Sequence, residues 1–133
     1  MFRHLGQSTS WTEARTLKSR QSAFVYLHVA LLYEAAGLAM WRNDMLPTRF
    51  GPPWIWLVAG ALIAAVIVVG LYFWQNAWLA RGVWALHGLR LPALVDGAFF
   101  RAGETRLPGS FYLTAMVVVL INLWMLARAG WDL

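Results

Sequence analysis

From Trp54 to Trp74 the chain runs WIWLVAGALIAAVIVVGLYFW without one charged side chain. As a helix rising 1.5 Å per residue this stretch is about 32 Å long, close to the roughly 30 Å hydrocarbon thickness of a bilayer. A run of this length without a charge is the strongest spanning signal in the chain, and Pro53 immediately before it is a favourable first helical residue. The run fixes the reading of the rest as a membrane chain.

Two further runs match it. Ala23 to Trp41, AFVYLHVALLYEAAGLAMW, is apolar except for His28 and Glu34, and Ser110 to Ala129 contains one strongly polar residue, Asn122, before ending at Arg128, whose long stem can carry its charge out to the interface. The expected fold is an all-α integral membrane protein with three transmembrane helices at about 22–41, 53–76 and 110–129, in a single domain of 1–133 whose first 22 residues form a polar cytoplasmic segment. A composition of 60% apolar and 13% charged residues agrees with that class. Nine tryptophans suit it too, because indole rings collect at membrane interfaces.

The connecting segments are read from their punctuation. Ser10 and Glu13 match a capping box, so a short surface helix is expected from Trp11 to about Arg20, separate from the first span. A cleaved leader fits less well, since the apolar run ends in Met40, Trp41 and Arg42 without a small-residue cleavage site. Arg42 to Pro53 breaks any helix with Asn-Asp, two Pro-containing turns and Gly51. After Trp74 the pattern of Trp78, Leu79, Val83 and Trp84 allows the second helix to continue to about Leu86 as a rod beyond the lipid. Leu91 to Phe100, with Pro92 near its start and an apolar face of Leu91, Leu94, Val95, Ala98 and Phe99, reads as a helix of about 92–100 lying in the interface. With three crossings, the N-terminal segment and the Gln75–Gly109 loop carry eight Lys and Arg, against three (Arg42, Arg49 and Arg128) on the other side. The positive-inside rule then sets the N-terminus in the cytoplasm and the C-terminus outside a bacterial inner membrane.

The net charge of +5 does not indicate a nucleic-acid partner, because the eleven basic residues are scattered among the apolar runs. There is no cysteine, which excludes disulfides, thiolate metal sites and thiol catalysis. No phosphate-binding glycine loop, nucleophile elbow or zinc-protease motif is present, and a catalytic role is not expected.

The ionisable residues inside the spans are the candidate sites, since such groups are costly in lipid. Depth counting across three spans brings Glu34 and Asn122 to one layer and predicts a buried hydrogen bond between them; the competing reading makes Glu34 a proton carrier. Gly60 with Ala64, and Ala61 with Ala65, form small-residue pairs that let helices approach closely. His28 lies about 120° around the helix from Glu34. It is either an ordinary histidine donating to a carbonyl or a neighbouring subunit, or an axial ligand to the metal of a bacteriochlorophyll or haem; a carotenoid or a bound lipid at the periphery completes the candidate cofactors. Trp74, Trp78, Trp84, Phe99 and Trp131 are read as surfaces for lipid or partner subunits. Taken together, these features favour a non-catalytic accessory subunit of a larger photosynthetic or respiratory membrane complex. The alternative is a small oligomeric proton-coupled transporter or channel built on Glu34.

Overall fold

The computed structural model describes the backbone of residues 2–45, 51–100, 108–131 and 133, and the side chains among these from Thr12 onward. All regular structure among them is helical, and three helices, within Thr12–Arg42, Pro53–Trp74 and Gly109–Trp131, are long and apolar enough to cross a membrane. The first helix, α1 (Phe2–Arg42), is one unbroken rod of 41 residues. The separate surface helix expected at Trp11–Arg20 is therefore the N-terminal continuation of the span. No proline occurs before Pro47, so nothing interrupts the backbone ladder until Asn43, whose amide side chain donates to the Ala39 carbonyl (2.7 Å) beside Asp44 at a left-handed φ of 54°.

Helix α2 (Pro53–Val69) starts on Pro53 and widens into a π-helical turn over Gly70–Trp74, closed by the Gln75 amide donating to the Gly70 carbonyl. Gln75 takes a left-handed φ of 52°, and the Asn76 side chain then accepts from the Trp78 amide at 2.9 Å as the N-cap of α3 (Ala77–Gly88). The second helix thus stops at Trp74 and does not continue to Leu86. A local polar pair, one residue terminating a helix and the next starting another, outweighs the amphipathic pattern that runs through it. Beyond α3 come α4 (Leu91–Val95), a second π-helical turn at Asp96–Phe100, and α5 (Gly109–Trp131).

Contacts along the helices give their directions. Thr16 and Ser19 of α1 meet Gln75 and Leu71, while Glu34 and Gly37 meet Gly60 and Leu57, so α2 runs antiparallel to α1. Gln21 meets Arg128, whereas Tyr33 and Ala36 face Phe111 and Ala115, so α5 also runs antiparallel to α1. Arg81 lies against Gly130 and Gly97 against Tyr112, so residues 77–100 climb beside α5 in the opposite direction. The expected three-crossing order, in which the third span parallels the first, is replaced by an up, down, up, down bundle with its third rung made of α3, α4 and the π turn. The interfacial helix of 92–100 is accordingly part of that rung, with Gly97 so close to the Tyr112 ring that an added methyl would sit 2.6–2.8 Å from it.

The end of the bundle that carries Thr16, Gln75 and Trp131 is here called the near end, and the end that carries Arg42, Pro53 and Gly109 the far end. The core lies in the near half, where Ala23, Tyr26, Ile67, Leu71, Ala80, Val83 and Leu126 form one buried cluster.

Candidate functional site

The reversal of α5 changes which polar groups share a layer. Counting back from Arg42, Glu34 lies roughly 12 Å and Tyr26 roughly 24 Å from the far end of α1. Tyr26 is buried, and its hydroxyl is 3.0 Å from Nε2 of His87, which the third rung carries into the bundle. Two turns further out, the Arg90 guanidinium lies 4.7 Å above the Tyr33 ring, a cation–π contact. Tyr26, Tyr33, Glu34, Trp56, His87 and Arg90 line one recess of about 240 Å³ between α1, α2 and α3. Gly60 opens this recess for the carboxylate, since a Cβ there would stand 3.0 Å from Glu34 Oε1.

His87 and Arg90 belong to the Gln75–Gly109 segment expected to be a loop between spans, and the third rung brings them to the recess. The expected Glu34–Asn122 hydrogen bond does not form. Glu34 turns towards α2, and Asn122 is completely buried with both its Nδ2 and Oδ1 lacking a hydrogen-bond partner. The cause is direction. Interpolating between the Gln21–Arg128 contact and the Tyr33–Ala115 contact puts Asn122 level with Tyr26, on the opposite side of the bundle's middle from Glu34. His87 Nδ1, on the histidine bonded to Tyr26, is likewise buried and unpartnered.

The small residues divide. Gly60 and Ala64 face α1 and line the recess, whereas Ala61 and Ala65 are exposed, so one of the two expected pairs forms the helix contact.

His28 is exposed on the outside of α1, tilted against Phe24 with ring centroids 4.7 Å apart. Its Nδ1 is 2.8 Å from the Phe24 carbonyl, and because a carbonyl only accepts, Nδ1 carries the proton and Nε2 is left as an outward-facing acceptor. That is the tautomer an axial metal ligand requires. It is equally the resting state of a histidine bonded to its own helix. Among the described residues no three His, Asp or Glu side chains gather into a metal site.

The aromatic residues serve different ends. Trp74, Trp78 and Phe99 are strongly exposed. Trp84, expected to seek an outside surface, stays exposed while meeting Trp131 edge-on at 5.1 Å. Arg81 lies over both the Trp78 and Trp131 rings and donates from Nε to the Gly130 carbonyl at 2.8 Å, fastening the end of α5 to α3. No family of known proteins, no characterised relative and no solved structure matches this chain.

Proposed function

We propose that this chain is a non-catalytic accessory subunit of a larger bacterial inner-membrane assembly of the energy-transducing class, photosynthetic or respiratory. The observation that carries this reading is the projection of α1. The Thr16–Gln75 hydrogen bond marks where α1 meets the turn after α2, yet the helix continues back to Phe2. The residues from Phe2 to Arg15 amount to roughly 21 Å of helix beyond that point. A helix of this length is marginal in water without tertiary packing, so a partner surface suits it. Among the described residues the near end carries Arg15, Lys18, Arg20, Arg81 and Arg128, against Arg42 at the far end, a bias that under the positive-inside rule supports a cytoplasmic near end with both termini. His28 and the exposed Trp74, Trp78 and Phe99 face the surrounding membrane, where partner helices, lipids or a tetrapyrrole would lie. Extraction in mild detergent tests the assembly. The full chain should co-purify with larger membrane proteins, and removal of residues 2–14 should abolish that association while the bundle stays folded. A monodisperse homo-oligomer from the native membrane would contradict it.

A second reading, proton-coupled transport through Glu34, is favoured by one observation: the recess supplies Glu34 with Tyr26, His87 and Arg90 as polar neighbours inside the lipid layer. Glu34→Gln keeps the shape but cannot release a proton, and it should abolish flux in proteoliposomes under this reading while leaving an accessory role intact.

A further inference from the structure

Val29 and Tyr33 each line two voids, the polar recess and a second cleft of about 230 Å³ between α1 and α5. The second cleft is almost wholly apolar, walled by Leu32, Ala36, Phe111, Ala115 and Val118. A head-sized polar space and a chain-sized apolar space therefore adjoin across the same two residues. The polar space presents one cation, Arg90, and one carboxylate, Glu34, together with the aromatic side chains Tyr33 and Trp56. Opposite charges at one recess suit a ligand that is neutral overall, offers an oxygen to the guanidinium and offers a hydroxyl to the carboxylate. Aromatic walls suit a planar ring.

Depth decides between the amphiphiles with such a head. The α1 lining from Glu34 to Tyr26 lies between roughly 12 Å and 24 Å along a bundle whose α1 portion from Thr16 to Arg42 measures about 39 Å, with Trp56 nearer the far end, so the body of the recess is at hydrocarbon depth. Phospholipid headgroups stay at the interface, while neutral quinone rings dissolve in hydrocarbon. We propose that the recess binds the ring of an isoprenoid quinone, with one ring oxygen accepting from Arg90, the reduced form donating a hydroxyl to Glu34, and the isoprenoid tail lying in the cleft beside Ala115. This binding is independent of whether α1 docks on a partner.

The full chain in lipid nanodiscs is titrated with a decyl-substituted benzoquinone, oxidised and reduced, and binding is read from tryptophan quenching against empty nanodiscs. Saturable binding is expected. Arg90→Gln should weaken both forms about tenfold, and Glu34→Gln should weaken the reduced form about tenfold more than the oxidised one, by the size of charge-assisted hydrogen bonds. Ala115→Phe, which fills the cleft and leaves the head site alone, should weaken the decyl compound but not a tail-less ring. Trp78→Phe, outside both voids, should change nothing. Each variant is first shown to elute and melt as the parent does. Non-saturable partitioning equal to that of empty nanodiscs overturns the proposal. So does binding that ignores all three substitutions, or equal displacement by phosphatidylethanolamine, which would make this a lipid-head site.

Discussion

The two halves of the bundle are built differently. In the near half, side chains bond across helices at every level. Thr16 donates to Gln75, Ser19 to the Leu71 carbonyl and Arg128 to Gln21, while Tyr26 meets His87 and Arg81 donates to Gly130. The buried residues concentrate there. Among the described residues, α1 holds none beyond Val29, α2 none before Ile67 and α5 none before Val119. The far half has the recess, the apolar cleft and a further surface groove by Leu38, Leu57 and Ala61. In lipid, where apolar surface is not driven together by water, packing and hydrogen bonds decide which helices stay together. The near half holds the fold, and the far half is left open enough to accept something.

Paired truncations should show this difference most strongly. Leu126→Ala removes a fully buried side chain from the near-half core and should cost about 2–5 kcal/mol, whereas Val118→Ala enlarges a cleft that is already open and should cost under about 1 kcal/mol. Melting temperatures of the purified variants in one detergent check the order; equal losses would mean that the far half is packed as tightly as the near half. Asn122→Leu sharpens the comparison within the near half itself. Both polar atoms of Asn122 are buried and unpartnered, so a similarly sized apolar side chain should stabilise the protein by about 1–3 kcal/mol. A lower melting temperature would instead show that Asn122 is satisfied in the membrane and that the near half depends on it.

The parts of this architecture legible in the sequence are those whose burial is uniform. The apolar runs of α1, α2 and α5 and the start at Pro53 follow from length and composition alone. The third rung does not, because Arg81, His87, Arg90 and Asp96 interrupt it and leave no spanning run. Each of the first three has a partner in another segment of the chain: Trp131 and the Gly130 carbonyl for Arg81, Tyr26 for His87 and Tyr33 for Arg90. Two signals were nonetheless present. Gln75-Asn76 is a helix stop followed by an N-cap residue, and Ala77 to Phe100 is long enough, at about 36 Å, to recross the layer. The rung reverses α5, and with it the depth of Asn122. A count of three crossings therefore pairs Glu34 with a residue on the other side of the middle and leaves His87 and Arg90 outside its surroundings.

The bundle's order is tested most directly by the sidedness of its two ends. The chain has no native cysteine, so Glu13→Cys and Leu133→Cys can each be introduced alone and probed with a membrane-impermeant maleimide in right-side-out and inverted vesicles. An up, down, up, down bundle predicts that both positions label from the same side. Labelling from opposite sides would restore a three-crossing chain and contradict the account.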